Sequence, residues 1–549
     1  MSPTIGSVLL DRLHKLGVRH IFGIPGDYVL GLYKLIDQSP IRHVGTTRED
    51  CAGFAADAYA RLNGIGAVCV TYCVGGLNVV NAIACAFAER SPVVLLSGSP
   101  GLSERVRNPL LHHMVRDFTT QKEVFEKVTV AAIVLDDPLT AEREIDRALG
   151  ALMRYKRPIY LEIPRDLVQA QIESPARGTA PKEDRSDQAA LAEAVAEVRE
   201  ILAAVERPVL LVGAEVHRFH LQHDLARIIE RTNIPVASTL LGKSVIKEDH
   251  PLFVGVYGGL IGHDEVQKFV NEADCLIMLG SILTDLEDLH ADSSVIREGR
   301  AIHATADAIT IKHHRYERVR FEDFVRGLVA APLPSFQFPT LPDRSRLMIG
   351  TPNANMPATL AGLFSHVEQV LNEKMLIIAD IGEALFAAAD LRVPRQSEFI
   401  SPAYYTSMGF SVPAALGAGF ADPTLRPIVL VGDGAFQMTG SELSTCVRYG
   451  QAPIIVVLNN RGYSTEREIL DGPFNDVHEW HYEKVCDLIG GGLGHRVKTH
   501  GELVQAFKAA LTDKSRVHVL NVLLDPADRS SAMKRLAHRL GQRVTLDGR

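Results

Sequence analysis

None of the seven cysteines in the 549-residue chain forms a Cys-x-x-Cys pair. Cys51, Cys69, Cys73, Cys85, Cys275, Cys446 and Cys486 mostly sit in apolar stretches. They read as small buried hydrophobes in a reducing compartment, which excludes a disulfide framework and a paired-cysteine zinc site. An excess of positive charge is also missing: 58 Lys and Arg against 66 Asp and Glu give a formal net charge of −8, with the charged residues scattered. A nucleic-acid binder would carry a basic patch, so none is expected as a partner. No apolar run reaches membrane-spanning length, and no membrane partner is expected. Met1-Ser-Pro-Thr-Ile-Gly6 lacks a basic region followed by an apolar core, so no signal peptide is expected and the location is read as cytoplasmic. No G-x-G-x-x-G follows an apolar run, and Gly255-Val-Tyr-Gly-Gly259 does not fit one, so the dinucleotide fingerprint is missing.

The length exceeds what one core can serve and predicts three or four domains. At 46% hydrophobic and 23% charged, the composition is that of a globular chain able to build those cores. Two polar, proline-containing stretches read as linkers: Ser174–Asp187, and Ala331–Pro357 with Pro332, Pro334, Pro339, Pro342, Pro352 and Pro357. They predict domains at 1–175, 186–330 and 356–549. Each third alternates short Val/Ile/Leu runs with amphipathic stretches. The runs are His20–Ile24, Ala67–Thr71, Pro92–Leu96 and Pro158–Ile163, then Pro208–Val212 and Cys275–Leu279, then Met375–Ala379, Pro427–Asp433 and Pro453–Asn460. Apolar strands alternating with helices predict an α/β chain of three consecutive doubly wound domains, each with a mostly parallel sheet covered on both faces.

The densest chemical signal lies in the last third. Pro427–Asp433 ends in Gly432-Asp433-Gly434, and Pro453–Asn460 ends in Asn459-Asn460, with Ser441–Tyr449 reading as a helix between them. Strand, helix, strand makes a βαβ unit, so a carboxylate and a carboxamide project from the ligand-binding edge of one parallel sheet. One charged and one neutral oxygen donor beside glycines suit a hard divalent cation that also holds phosphate oxygens. A turn and a polar loop are the plain readings of the same residues. In the first third, Asp27 follows the run His20–Ile24, Glu49 follows His43–Thr47 and opens a helix, and His112-His113 sits in a polar stretch. Taken singly, these are a turn aspartate, a helix-dipole partner and a loop pair.

In this order along nearly the whole chain, Gly-Asp27-Tyr, Glu49, His112-His113, Gly409-Phe-Ser-Val-Pro-Ala-Ala, Gly432-Asp433-Gly434, Asn459-Asn460 and Gly462-Tyr-Ser-Thr-Glu466 resemble the thiamine diphosphate-dependent 2-oxo acid decarboxylases. The wording is most similar to the phenylpyruvate and indolepyruvate branch. The resemblance implies thiamine diphosphate and Mg2+ as cofactors. Asp433, the Asn460 side chain and the Gly462 carbonyl would hold the metal, and Gly432, Gly434 and Ala435 would line the cofactor. The helix beginning near Ser441 would aim its amino end at the diphosphate. Met408 would prop the bent cofactor, the Thr406 carbonyl would hold its amino group, and Glu49 would bond its pyrimidine ring. Asp27, His113 and Glu466, with His112 supporting, would handle protons and the substrate carboxylate. The implied reaction converts a 2-oxo acid, through a cofactor-bound enamine, to an aldehyde and CO2. The resemblance further implies a homodimer at least, with homotetramers expected. The site would lie between two chains, with a structural or regulatory middle third.

Some positions depart from the family pattern. Ile381 stands where threonine is common, Glu383 where aspartate is usual, and Thr465 where pyruvate-specific members tend to carry isoleucine. Leu385 and Leu286 fall where those members place large aromatics. Smaller pocket walls predict a substrate larger than pyruvate, of the phenylpyruvate, indolepyruvate, branched-chain or long linear type. The alternatives are a carboligating or benzoylformate-type enzyme of the same cofactor, a non-catalytic cofactor binder, and a nicotinamide-dependent dehydrogenase. His112-His113 and Glu466 argue against the first, retention of every proton-handling residue against the second, and the missing glycine fingerprint against the third.

Overall fold

The computed structural model describes residues 3–172, 185–284, 301–338, 340–342, 353–394 and 399–547, with side chains to residue 539. Most of the expected linker Ser174–Asp187, part of the second linker, and Leu286 fall outside them.

Three sheets form, one in each third of the chain. The first contains β1 (His20–Gly23), β2 (Arg42–Gly45), β3 (Gly66–Val70), β4 (Val93–Ser99), β5 (Ala132–Val134) and β6 (Ile159–Pro164). Its strand order is β2-β1-β3-β4-β6-β5, and every pairing is parallel. The second contains β7 (Pro208–Val212), β8 (Val236–Thr239), β9 (Phe253–Tyr257), β10 (Cys275–Leu279), β11 (Ala301–Ala304), β12 (Ile309–Ile311) and β13 (His314–Tyr316), in the order β13-β12-β11-β10-β7-β8-β9. It is parallel except where β12 and β13 fold back antiparallel at one edge. The third contains β14 (Met375–Ala379), β15 (Arg426–Gly432), β16 (Ile454–Asn459), β17 (Leu493–Val497) and β18 (His518–Leu523), in the all-parallel order β14-β15-β16-β18-β17.

The central strands read as continuous apolar runs because both faces are covered. Ile428 to Val431 and Ile454 to Val457 are all fully buried. Each such side chain contributes about 1.5–3 kcal/mol of burial. The seven cysteines are all free and buried.

Two compact units emerge. One comprises Met1–Asp184 with Pro413–Pro423 and Ser441–Tyr449; the other comprises Arg185–Val412, Thr424–Gly440 and Gly450–Arg549. Two short pieces of the last third therefore pack with the first. The helix expected over Ser441–Tyr449 is present, and a further helix that was not expected precedes it. Helix Asp433–Thr439 starts directly at the end of β15, a 3-10 turn spans Gly440–Glu442, and a second helix follows over Leu443–Arg448. Asp433 itself opens the first turn, a favourable place for an acidic residue.

Candidate active site

In the first unit, β1 and β2 pair in parallel register up to Gly23 and Gly45, so the turns that follow them open on one edge of the sheet. Asp27 lies in the turn after β1. Its carboxylate is joined by His112, whose Nε2 is 2.8 Å from Asp27 Oδ2. The Tyr28 hydroxyl is 3.2 Å from His112 Nδ1, and its ring stacks on the imidazole at 4.7 Å. A proton on Nε2 satisfies both contacts, with Nε2 donating to Asp27 and Nδ1 accepting from Tyr28. The His113 ring lies edge-on to His112 at 4.8 Å. Ligand atoms of Asp27, His112 and His113 all lie within 4.8 Å of one another. Arg165 reaches the same carboxylate at 3.5 Å and covers the Tyr28 ring.

Glu49 opens helix Glu49–Asn63. Asn78 Nδ2 donates to its Oε2 at 2.6 Å. Asn78 was not anticipated; a carboxamide one helical turn beyond Gly75-Gly76 was the available signal. Gly75 lies against Glu49: a methyl there would sit 3.5 Å from Glu49 Oε1 and 3.4 Å from Thr71. Thr71 in turn blocks any side chain at Gly26, so Glu49, Thr71 and the turn holding Asp27 share one edge.

In the second unit, β15 and β16 pair with Gly432 opposite Leu458, which brings Asp433 beside the Asn459-Asn460 end. Asp433 is 2% exposed. It accepts from the Gly434 N–H at 2.7 Å and the Arg461 N–H at 2.6 Å. Burial, the largest influence, pushes its pKa up to about 6. Asn460 is buried, its Nδ2 donates to Ser464 Oγ, and its Oδ1 has no hydrogen-bond partner. Leaving a buried carbonyl oxygen unmatched is costly unless a ligand takes it. A desolvated carboxylate beside an orphaned carboxamide oxygen therefore fits a hard divalent cation. Ala435 is buried next to Gly434. Both glycines are sterically enforced: a methyl at Gly434 would meet the Tyr463 ring at 2.4 Å, and one at Gly462 would meet Asn475 O at 2.5 Å. Gly432 faces open space.

The turn carrying Thr406 and Met408 is pinned from two sides. Asp380, at the end of β14, is fully buried and accepts from Gly409 N–H at 3.1 Å and Ser411 N–H at 3.0 Å. Burial raises its pKa. Thr439 donates to the Gly409 carbonyl at 2.7 Å. Gly409 has φ +84°, which an L side chain resists. Met408 is half-buried and Thr406 exposed. Asp380 and Thr439 were also not anticipated, since their partners are backbone groups distant in sequence.

Glu466 is exposed on helix Ser464–Ile469. A methyl on Gly382 would sit 3.5 Å from Thr465 Oγ1, which places the start of helix Glu383–Ala389 beside Glu466's neighbour. Leu385, expected to wall the substrate pocket, is instead fully buried in the core of the third sheet. Its neighbour Phe386 faces a crevice, because adjacent helix positions point about 100° apart. Glu383 is buried, with Oε1 accepting from Ser530 N–H.

Four non-glycine residues with left-handed backbone fall at these places: Cys73 (φ +47°), His113 (+67°), Thr406 (+58°) and Arg461 (+59°). Such conformations cost about 1–3 kcal/mol each and collect at functional sites.

The same regions match known families. Residues 3–123 match the thiamine pyrophosphate enzyme N-terminal TPP binding domain, 195–328 the central domain and 380–522 the C-terminal TPP binding domain. An indole-3-pyruvate decarboxylase of Azospirillum brasilense is 36% identical over 532 residues, covering 95% of each chain. A pyruvate decarboxylase of Neurospora crassa is 32% identical over 548 residues, covering 97% of this chain and 95% of its own. An alpha-keto-acid decarboxylase of Mycolicibacterium paratuberculosis is 34% identical over 544 residues, covering 95% of this chain and 94% of its own. With three matching domains in order and relatives similar along nearly their whole length, the chain belongs to the thiamine diphosphate-dependent 2-oxo acid decarboxylase family.

Proposed function

We propose that the protein removes CO2 from a 2-oxo acid larger than pyruvate and releases the aldehyde, using thiamine diphosphate and Mg2+. The observation that carries this reading is the Asp27–His112–His113 cluster on the same sheet edge as Glu49. A cofactor binder would need the metal ligands and Glu49 alone; a cluster of oriented titratable groups serves proton transfer. Bound thiamine diphosphate would supply the electron sink for the C–C bonding pair that stays behind when CO2 leaves. Asp433, Asn460 Oδ1 and the Gly462 carbonyl hold the cation. Gly432, Gly434, Ala435, Thr406 and Met408 shape the cofactor's seat, and Glu49 bonds its ring. Asp27, His113 and Glu466 move protons, and His112 orients Asp27.

The preference for a larger substrate rests on Thr465, which stands where pyruvate-specific members tend to carry isoleucine and lies half-buried beside Gly382 and next to Glu466. A smaller wall at that position leaves room for a larger side group.

Large apolar side chains are exposed next to the site residues of the single chain: Val74 at 56%, Leu110 at 86%, Val115 at 61% and Leu470 at 68%. Exposed apolar side chains of this kind offer a surface on which another copy can dock. This supports a homodimer at minimum, and a homotetramer, with the two halves of each centre drawn from two copies. No helix among the described residues is long and apolar enough to cross a membrane. The free, buried cysteines support a cytoplasmic setting.

The test is a panel of pyruvate, 2-oxoisovalerate, 2-oxo-4-methylpentanoate, phenylpyruvate, indolepyruvate and benzoylformate with thiamine diphosphate and Mg2+. Aldehyde and CO2 from phenylpyruvate or indolepyruvate in preference to pyruvate are expected. Acyloin as the main product from a single 2-oxo acid would sink the decarboxylase reading.

A further inference from the structure

The turn that delivers Glu49 is held by side chains from far along the same chain. β2 is an edge strand, so its outward N–H groups lack a ladder partner. The Tyr449 hydroxyl accepts from the Gly45 N–H at 3.0 Å. Glu442 Oε2 accepts from the Thr47 N–H at 3.0 Å and from the Thr47 hydroxyl at 2.5 Å. Gly45 and Thr47 bracket the turn from β2 into helix Glu49–Asn63. The helix is gripped as well: a methyl at Gly417 would come within 1.9 Å of the Ala55 carbonyl, so helix Ser411–Ala421 packs against it at backbone distance. The Phe420 ring packs on Tyr449 at 5.5 Å and on His20 at 4.6 Å, which fixes Tyr449 in turn.

Glu442 is the costly member of this clasp. It is fully buried, and its other oxygen, Oε1, has no N–H or O–H partner. The Cys51 thiol, two residues beyond Glu49, lies within hydrogen-bond reach of Glu442; burial first and then Glu442's charge raise its pKa. A buried carboxylate held by few donors is a poor source of stability. It does present one acceptor that fixes two donors of a single residue, and so sets that residue's position closely.

We propose that Glu442 is a positioning residue for Glu49: by holding the Thr47 N–H and hydroxyl, it sets where the helix carrying Glu49 starts, and thus where Glu49 meets the cofactor ring. Asn78 fixes the Glu49 carboxylate, and Glu442 fixes Thr47, two residues before Glu49 in the chain. This rests on the reading of Glu49 as the ring partner.

The test is a double-mutant cycle on the full-length enzyme, with thiamine diphosphate affinity at saturating Mg2+ measured by calorimetry and kcat by aldehyde release. Glu442→Gln is expected to weaken cofactor binding and lower kcat, each about tenfold, as groups that orient a contact residue usually do. In a Glu49→Gln background the same change is expected to have little further effect, because the two act as one unit. Thr47→Val, at an exposed position, is expected to reproduce part of the loss and Thr47→Ser to restore it. Thr47→Val carries the test if Glu442→Gln does not fold. The proposal is overturned if Glu442→Gln or Thr47→Val leaves cofactor affinity and kcat at wild-type values, or if the losses from Glu442→Gln and Glu49→Gln multiply in full. If Glu49→Gln itself changes neither quantity, the reading of Glu49 fails first and takes the inference with it.

Discussion

On the edge of the first sheet the polar groups of the single chain are exposed or half-buried and held by other side chains. His112 is oriented by Tyr28, Asp27 by His112 and Arg165, and Glu49 by Asn78. On the edge of the third sheet they are buried and held by backbone. Asp433 is gripped by two main-chain N–H groups, and Asp380 by three, those of Ile381, Gly409 and Ser411. The contrast follows from the two tasks. A proton carrier has to reach substrate and change charge, which side-chain partners that themselves titrate or rotate permit. An ion site has to present desolvated oxygens in a fixed shape, which burial and backbone partners enforce.

Removing an oxygen donor from the buried edge is the most severe way to break this contrast. Asp433→Ala should abolish Mg2+-dependent retention of thiamine diphosphate and cut activity by about a thousandfold or more, seen in gel-filtered enzyme assayed with and without added cofactor. On the exposed edge, Asp27→Asn should lower kcat by about a hundredfold while cofactor affinity stays at the wild-type value in calorimetry. Equal loss of cofactor binding in both variants would erase the distinction between the edges.

Acid should weaken the buried edge first. Asp433 has to be ionised to hold a cation, and burial pushes its pKa up to about 6. The apparent Mg2+ affinity should therefore fall by about tenfold per pH unit below that value, in titrations from pH 7.5 to 5. The linkage to folding has the opposite sign. A carboxyl raised above its unfolded value of 3.8 stabilises the ion-free fold below that value, and this contribution is lost as pH rises through about 6. Added Mg2+ should stabilise most at neutral pH, as thermal melts with and without the ion would show. The smallest effect is expected at Asp380. Asp380→Asn turns an amide group toward backbone donors and should destabilise the fold by about 1–3 kcal/mol, read in denaturant unfolding. It should lower kcat less than Asp27→Asn does.

The strand runs were legible because burial on both faces writes them as unbroken Val/Ile/Leu. Pro208–Val212, Cys275–Leu279 and Met375–Ala379 appear with the expected ends. The short β12 and β13 were not, because a three-residue edge strand leaves too little periodicity to read. Helix Asp433–Thr439 was not legible because Gly434 and Gly440 argue against a helix, whereas close contact with Tyr463 makes a glycine necessary at 434. Leu385 was assigned to the pocket by position, but it is fully buried, and its neighbour Phe386, itself buried, lines a small crevice instead.

The sequence by itself determined which chemical groups stand at strand ends: Asp27, Glu49, Asp433 and Asn460 follow or end apolar runs whose period and boundaries are local properties. Only the tertiary structure decided who holds them. Asn78 on Glu49, Glu442 on Thr47 and Asp380 on Gly409 join residues distant in the chain. Strand patterns arise from burial, which leaves a periodic trace in the residues themselves. A hydrogen bond to a distant backbone N–H leaves none, since every residue but proline carries that donor.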